Sequence, residues 1–322
     1  MSKMVVGLGE VLWDDFGTYR TLGGAVTNFA VHSAQLGLES WIVGAIGHDD
    51  DGRAAARELQ SRGVMTHLSR VDFPTGLVSV SSGEDSLSKY DIKYPSAWDF
   101  IPFTDELVTL ARKADAVCFG TLAQRNPTSR ETICRFIEEM PSGSQALKVF
   151  DANLRQNFWN EPVIRSSMSL CNVLKISDNE YEVMRDIFGL DKDPLTGCRQ
   201  LMKGFKLMIV ILTCGATGSY VLSQFGESSL PALPYCSEGA VSAGAGASSG
   251  EASESSGASS GEASDGSWIA DTVGAGDAFT AGFISSILGG HNVCEAHGFA
   301  ARLASYVCSK PGATPSLDGF RG

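Results

Sequence analysis

The sequence predicts an α/β fold: a doubly wound, mostly parallel sheet with a small β lid. Two observations lead to this prediction. Apolar, β-rich runs alternate with helical segments along most of the chain, as strands and crossover helices do in an open parallel sheet. One further segment alternates apolar and polar residues, which is typical of strands with one face in water. The 322 residues, 43% of them hydrophobic, are enough for the core of a single domain spanning 1–322.

The strands of the large sheet are predicted from near-continuous apolar runs, as in strands that are buried on both faces. In chain order these runs are MVVGLGEVLW (4–13), DAVCFG (115–120), LKVFDAN (147–153), NVLKIS (172–177) and LMIVILT (207–213). Helices are predicted between them at 28–36, 105–113, 129–140, 178–188 and 194–203. This βα alternation is typical of a doubly wound sheet.

Residues 76–94, GLVSVSSGEDSLSKYDIKY, predict a hairpin because two alternating stretches flank a polar turn. A hairpin inserted into an α/β chain can cover a binding site. We therefore expect a lid formed by about residues 10–22 and 72–98.

Residues 239–266 differ from the rest of the chain because they are almost entirely Gly, Ala, Ser and acids. ASSGEASESSG at 247–257 is followed directly by the near repeat ASSGEASDGS at 258–267. Such a segment cannot bury enough apolar surface to offset its ordering entropy. We predict a disordered, low-complexity insertion that the fold tolerates, rather than a regulatory or partner-binding loop.

Charge and cysteine content exclude several classes of partner. The formal net charge of −12 and the pI of about 4.9 argue against non-specific binding to nucleic acid or to an anionic membrane. The N-terminus lacks the layout of a signal peptide, and the longest uninterrupted apolar run, at 207–212, is far shorter than a membrane span. The eight cysteines are scattered without a CxxC pair, as expected for free thiols, and we expect a cytoplasmic protein.

The stretch DTVGAGDAFTAGF, residues 271–283, combines a small-residue turn with a following helix. Gly274, Ala275 and Gly276 let the backbone turn tightly with their N–H groups unobstructed. Asp277 is predicted to begin the helix, and the first N–H groups of a helix have no internal partners. Such a turn is able to bind an anion. Asp277 would repel a bound phosphate, so its position makes sense if it removes a proton from an attacking hydroxyl. The residues alone leave open that Asp277 only caps the helix.

DTVGAGDAFTAGF resembles the C-terminal signature of the PfkB, or ribokinase-like, family of carbohydrate kinases. LGGAVTNFAVHSAQLG, residues 22–37, is similar to the N-terminal signature of that family, in which Gly-Gly is followed by Asn. Two long motifs in the right order are far more specific than a lone glycine pattern. The resemblance continues through GEVLWD (9–14), FPTG (73–76), WDFI (98–101), FDANLR (150–155), NEYE (179–182), TCGATGS (213–219) and PGATPS (311–316). The resemblance covers essentially the whole chain except the insertion. The motifs GEVLWD, PTG, WDFI and FDANLR together are most similar to the fructokinase branch.

The resemblance implies that the sugar lies under the lid against Asp14, Gly23, Gly24 and Asn28. A carboxylate suits a sugar because it accepts two hydroxyl hydrogen bonds. From the residues alone, the two glycines could form an ordinary turn, and Asn28 could cap the helix that starts near it. The neighbouring Asp15 competes with Asp14 for the role of sugar ligand.

The nucleotide-binding residues that the resemblance implies are Asn179, Thr213, Gly215, Gly218 and Arg155. The chain has no GxxxxGK[ST] motif, so it is not a P-loop kinase. A turn after a buried strand is a usual ligand site in an open α/β sheet, which suits the positions from 213 to 218. Arg155 has a planar fork that suits phosphate oxygens, but it could equally pair with Asp151.

Two metal sites are implied by the resemblance. Asn179 and Glu182 are expected to organise Mg²⁺ and its waters near the phosphates, since they lie three residues apart on one face of a helix start. The alternative is a solvated helix N-terminus, where the helix dipole favours acidic side chains. A monovalent cation, with K⁺ as the candidate, is implied at the matching positions Asp271, Val273, Gly312 and Ser316.

These features predict an ATP-dependent sugar kinase, most similar to a fructokinase, with ATP and Mg²⁺ as cofactors. Its partners would be a small sugar, ATP and a second copy of the chain that joins through the lid. One rival is a kinase for 2-keto-3-deoxygluconate, ribose or a nucleoside. Another is a non-catalytic sugar-binding relative, which the intact anion-binding turn disfavours. A nicotinamide dehydrogenase is disfavoured because no GxGxxG follows the first strand.

Overall fold

The computed structural model describes residues 2–82, 88–143, 146–233 and 272–321. The predicted insertion at 239–266 and the predicted cation ligand Asp271 lie outside the described residues. The strands are β1 Met4–Leu8, β2 Leu12–Asp15, β3 Arg20–Gly23, β4 Glu39–Gly47, β5 Met65–Val71, β6 Gly76–Ser82, β7 Ser88–Ile92, β8 Ala116–Phe119, β9 Leu147–Asp151, β10 Val173–Ser177, β11 Ile209–Thr213, β12 Ser219–Ser223 and β13 Gly226–Leu230. The helices are α1 Ala25–Gln35, α2 Asp50–Ser61, α3 Asp105–Lys113, α4 Pro127–Glu139, α5 Glu161–Leu170, α6 Asp178–Phe188, α7 Pro194–Phe205, α8 Ala275–Leu288 and α9 Val293–Cys308.

A nine-stranded sheet has the order β13-β12-β11-β10-β9-β8-β1-β4-β5. Pairing is parallel from β11 to β5 along this order, and antiparallel between β11, β12 and β13. The large, mostly parallel sheet of the prediction is therefore confirmed. After β1, the chain first adds β4 and β5 on one side of it and then adds β8 to β11 on the other side. Open α/β sheets bind ligands in the crevice at the carboxyl ends of the strands where the strand order reverses in this way, which here is between β1 and β8.

Helices cover both faces of the large sheet because successive strand residues point to opposite sides. Val6 of β1 packs in a core that includes side chains of α3, α4, α5, α6 and α7. Its neighbour Val5 packs in a second core with α8 and α9. The helices α1 and α2 pack around Ile42 of β4 on this second face. None of the helices in the described part of the chain has the length and apolar character that crossing a membrane requires.

A separate four-stranded sheet has the order β3-β2-β6-β7. Its strands come from the segments 10–22 and 72–98 that the sequence assigns to the lid. The hairpin expected in 76–94 is present as the antiparallel pair β6 and β7. The closing motion that the word lid implies stays a prediction.

Three features of the fold differ from the sequence prediction. The run MVVGLGEVLW is not one strand, because the chain leaves the large sheet at Gly9, with φ of 150°, and β2 then joins the small sheet. The helix predicted to start near Asn28 begins at Ala25, and that predicted to start at Asp277 begins at Ala275. The sequence prediction also missed β4, α2 and β5 between residues 39 and 71, and α5, β12, β13 and α9 elsewhere. The helix α2 is mostly polar and buries only one narrow stripe, whereas β4 carries the apolar run of a buried strand.

Candidate active site

The predicted site residues gather at the carboxyl edge of the large sheet. Asp151 ends β9, Ser177 ends β10 and Thr213 ends β11, and the three strands are neighbours with parallel pairing. Glu10 follows β1 directly, on the other side of β8. The small sheet contributes Asp14, the third residue of β2.

The two signature helices meet at their first turns. The Nδ2 amide of Asn28 donates a hydrogen bond to Oδ2 of Asp277 over 2.8 Å. The N-cap residues of the two helices are Gly24 and Gly274, and neither Asn28 nor Asp277 is a cap. Both capping alternatives are therefore wrong, since each side chain points across to the other helix instead.

The turn before α8 has the backbone geometry of an anion-binding turn. Gly274 has φ of 78°, and a Cβ there would lie 2.3 Å from the carbonyl oxygen of Ala313, so only glycine fits. Within the described residues, the N–H groups of Gly274, Gly276 and Asp277 have no hydrogen-bond acceptor. The N–H of Ala275, the third predicted donor, instead donates to the carbonyl of Thr272 over 3.4 Å. The unpartnered donors suit an anion at the start of α8.

The carboxyl group of Asp277 has a pKa raised to about 7. Burial is the largest cause, and the like charge of Asp151 adds to it, whereas the hydrogen bond from Asn28 and the charges of Lys175 and Arg155 lower the pKa. A carboxyl group that titrates near neutral pH is matched to general base catalysis.

Asp14 and Asp15 have different environments. Asp15 accepts hydrogen bonds from the backbone of Gly17 and from Arg20, with which it forms an ion pair. The carboxylate of Asp14 has no hydrogen-bond or ion-pair partner among the described residues, and burial raises its pKa to about 6. Asp14 is therefore the carboxylate of the pair whose acceptor sites are open to a ligand.

The carboxyl group of Asp14 packs against the backbone of Gly23. A Cβ at this position would lie 2.1 Å from Oδ2 of Asp14. Gly24, with φ of 106°, begins α1 and lies against Glu10, where a Cβ would come within 2.6 Å of the Glu10 carbonyl oxygen. The Gly-Gly pair thus permits a close approach of backbone and acids, beyond an ordinary turn.

Glu10 is a member of the site that sequence reasoning missed. It is 1% exposed, and its Oε1 accepts a hydrogen bond from the backbone of Ala25 over 3.0 Å. Oε2 is buried and has no partner among the described residues. Burial raises the pKa of Glu10 to about 6. The signal in the sequence is a glutamate inside an apolar run that otherwise predicts one continuous strand.

Arg155 is exposed, in the loop after β9. Its charge lowers the pKa values of Glu10, Asp14 and Asp277, so it faces the carboxyl groups around the predicted sugar site. It does not pair with Asp151, whose Oδ1 lies 3.1 Å from Nζ of Lys175. The alternative pairing is therefore wrong.

The residues predicted for magnesium lie at the start of α6, directly after the carboxyl end of β10. Asn179 is exposed, and Glu182, also exposed, forms an ion pair with Arg185. The acid of this helix that faces inward is Glu180, which accepts hydrogen bonds from the backbone of Leu154 and Ser177 and whose charge acts on Lys175. The described residues contain no group of three or more His, Cys, Asp or Glu side chains placed to hold a metal ion.

The loop after β11 lies at the same edge of the sheet. Thr213 contacts the carbonyl of Ile176 over 3.4 Å, and Gly215, with φ of 51°, has open space where a Cβ would be. Gly218 has a different role, because a Cβ there would lie 2.1 Å from the carbonyl oxygen of Leu230. It permits close packing of the chain after β13, which does not require a ligand.

The residues predicted for a monovalent cation are only partly described. Val273 is exposed beside the turn before α8, and Gly312 has φ of 80°. The hydroxyl of Ser316 donates to Asp318 over 2.7 Å, and its carbonyl accepts a hydrogen bond from Tyr306 over 2.9 Å. Both oxygens of Ser316 are thus engaged within the protein.

Comparisons with known proteins agree on one family. A family model described as pfkB family carbohydrate kinase matches residues 10–246 and 265–318. An ATP-dependent 6-phosphofructokinase of Thermoanaerobacterium thermosaccharolyticum is 28% identical over 340 residues, which cover 98% of this chain and 92% of the relative. A fructokinase of Klebsiella pneumoniae is 25% identical over 291 residues, which cover 88% of this chain and 80% of the relative. The crystal structure of a fructokinase with bound ATP from Xylella fastidiosa matches with a TM-score of 0.76 at 19% identity, over 98% of this chain and 96% of that one.

Proposed function

The chain belongs to the pfkB family of carbohydrate kinases, and we propose that it transfers the γ-phosphoryl group of ATP to a primary hydroxyl of a small sugar, with fructose as the preferred acceptor. The observation that supports this most directly is the hydrogen bond of 2.8 Å between Asn28 and Asp277. It joins the proposed sugar-binding helix to the proposed base, so that a bound hydroxyl can meet both groups.

The proposed sugar site uses Asp14, Gly24 and Asn28. Asp14 accepts two sugar hydroxyl groups, because its carboxylate has no partner among the described residues. Oδ1 of Asn28 is also buried without a partner in that part of the chain, and a sugar hydroxyl would satisfy it. The small sheet that carries Asp14 closes over the sugar and excludes water, which suppresses hydrolysis of ATP.

In the proposed reaction, Asp277 accepts the proton of the attacking hydroxyl. The N–H groups of Gly274 and Gly276, which have no acceptor among the described residues, hydrogen-bond to the oxygens of the transferring phosphoryl group. Mg²⁺ accompanies ATP in such reactions and neutralises phosphate charge. Asn179 and Glu182 would hold Mg²⁺ through its waters, and the exposed ion pair of Glu182 with Arg185 would have to open for this. The proposed steps use the protein's own groups.

The charges around the sugar site favour a neutral acceptor over a sugar phosphate. Glu10, Asp14 and Asp277 are all acids, and Arg155 is the one cation among the described residues whose charge acts on all three. A substrate phosphate at this position would face more negative than positive charge. The charges therefore favour fructose over fructose 6-phosphate as the acceptor. Of the two relatives named above, one is a 6-phosphofructokinase and the other is a fructokinase.

A panel of acceptors in a coupled assay for ADP tests the proposal. The panel contains fructose, fructose 6-phosphate, ribose, a nucleoside and 2-keto-3-deoxygluconate, with an acceptor-free reaction as background. We expect the highest kcat/KM with fructose. A tenfold preference for any other acceptor would contradict the fructose assignment, and turnover with none of them would support a non-catalytic sugar-binding protein.

A further inference from the structure

A buried ion pair lies directly beneath the anion-binding turn and has no assigned role. Nζ of Lys175 is 3.1 Å from Oδ1 of Asp151, and the two side chains are 10% and 5% exposed. The residues are register partners on the neighbouring parallel strands β10 and β9. Burial of a charge pair costs desolvation energy that an apolar pair would avoid, so such a pair is weak evidence for a purely stabilising role.

The ammonium group of Lys175 touches the turn itself. A Cβ on Gly276 would lie 3.0 Å from Nζ of Lys175. Gly276 is also one of the residues whose N–H has no acceptor in the described part of the chain. A positive charge at this distance, in a site shielded from water, strengthens the potential that the turn presents to an anion.

Asp151 is fixed from two sides. Its Oδ1 contacts Lys175, and its Oδ2 lies 3.2 Å from the hydroxyl of Thr280 on α8. The same hydroxyl is 3.0 Å from the carbonyl oxygen of Gly276. Asp151 therefore connects Lys175 to the first turn of the helix that carries Asp277.

We propose that Lys175 is a positioning residue for phosphoryl transfer, which keeps the Asp277 carboxyl ionised and adds positive charge behind the turn, and that Asp151 holds Lys175 in place. The proposal rests on the proposed function, in which Asp277 is the base. It assigns opposite electrostatic effects to the two members of the pair, because Lys175 stabilises the Asp277 anion and Asp151 opposes it.

The groups that act on Asp277 come from several elements. They are Asp151 on β9, Lys175 on β10, Arg155 in the loop after β9, and Asn28 on α1. Cys118 on β8 is buried among the same charges, and burial raises the pKa of its thiol, which leaves it neutral. Glu180 of α6 acts on both members of the pair. Of the two buried neighbours, Asp151 raises the pKa of Asp277 and Lys175 lowers it.

The test is the pH dependence of kcat/KM for the acceptor in three variants. The acid limb of the pH profile is the fall in kcat/KM at low pH as Asp277 becomes protonated. In Lys175→Met this limb should move to higher pH by about one unit, because loss of a nearby cation disfavours the Asp277 carboxylate. In Asp151→Asn the amide oxygen can still accept the hydrogen bond from Lys175 while the negative charge is lost, so the limb should move to lower pH. In the double variant it should return close to that of the unmodified protein. KM values for sugar and ATP should stay within about threefold in all variants, and the kcat plateau of Lys175→Met should fall by about tenfold or more.

Lys148→Met is the matched control. Lys148 is a half-buried lysine on β9, and Glu138 is the charged group that acts on it. The acid limb of this variant should not move. An unmoved limb in Lys175→Met, or shifts of the same sign in both single variants, would overturn the proposal.

Two further results keep the outcome decisive. If Lys175→Met does not give folded protein, Asp151→Asn decides, since a limb that fails to move to lower pH contradicts the proposal. Asp277→Asn separates the two levels of the argument. Near-normal turnover in that variant would show that Asp277 is not the base and would contradict the proposed mechanism. An inactive Asp277→Asn together with an unmoved acid limb in Lys175→Met would contradict only the role of Lys175.

Discussion

Asn28 and Asp277, separated by 249 positions in the sequence, are joined by a hydrogen bond of 2.8 Å from the amide Nδ2 to the carboxylate Oδ2. The bond fixes the rotamer of Asp277 and stabilises its ionised form. Oδ1 of Asn28 is buried without a partner in the part of the chain that the structure describes, which suits its proposed contact with a hydroxyl of the acceptor. The two family signatures thus meet in one pair of side chains, from which the predictions below follow.

Asp277→Asn should lower kcat by about 10²–10⁴-fold, which is the range that a positioned general base contributes. Binding of sugar and ATP should persist, because asparagine keeps the acceptor oxygen toward Asn28. Steady-state kinetics and calorimetric titration with each ligand measure the two effects. Turnover within a few-fold of the unmodified protein would mean that Asp277 is not the base.

Activity should fall as the pH decreases through about 7, the pKa of Asp277. The sign follows from its role, since only the ionised carboxylate accepts a proton. The measurement is kcat/KM for the acceptor from pH 5 to pH 9 at constant ionic strength. A plateau that extends down to pH 5 would contradict the assignment of the limb to this group.

Asp277→Asn should also stabilise the fold at pH 8 by about 1–2 kcal/mol. The pKa of Asp277 is raised from 3.8 to about 7 in the folded state, so the carboxyl contributes to stability below pH 4, and this contribution is lost as the pH rises through 7. Asparagine carries no such penalty. Denaturant unfolding at pH 8 and pH 4 measures the difference, which should vanish at the lower pH.

Asp14→Asn should raise KM for the sugar by about tenfold or more, with KM for ATP little changed, because a carboxylate with open acceptor sites is lost. Asp15→Asn is the matched control. Asp15 is engaged with Arg20 on an exposed part of the same strand, so its loss should leave sugar binding within about twofold. Equal effects in the two variants would show that the strand, and not the carboxylate of Asp14, determines affinity.

Gly23→Ala should weaken sugar binding because the new Cβ, 2.1 Å from Oδ2 of Asp14, displaces that carboxylate. Gly204→Ala on α7 is the control, since a Cβ there meets no atom within 4 Å and alanine favours a helix by up to about 1 kcal/mol. We expect a KM for sugar raised at least about tenfold in the first variant and unchanged in the second. Unaltered sugar affinity in folded Gly23→Ala would contradict the close packing of this pair.

The sequence by itself determined the layered α/β architecture and placed the candidate site at the carboxyl edge of its sheet. Apolar runs such as 172–177 and 207–213 are local patterns, and a strand buried on both faces must carry them. They appear as β10 and β11 within one or two residues of the predicted bounds. The edge strand β5 was missed because it is mostly half-buried and its sequence alternates weakly. The strand β4 carries the apolar run of a buried strand and was predictable from its sequence.

Only the tertiary structure decided which polar groups interact. Asp14 and Asp15 are adjacent and chemically alike, yet Asp15 pairs with Arg20 while the carboxylate of Asp14 has no partner among the residues that the structure describes. Arg155, Asp151 and Lys175 are all charged residues near strand ends, and the sequence offered no means to choose the pair. Ion pairing and pKa values depend on burial and on the side of the sheet to which each group points. Neither is set until distant strands and helices pack together.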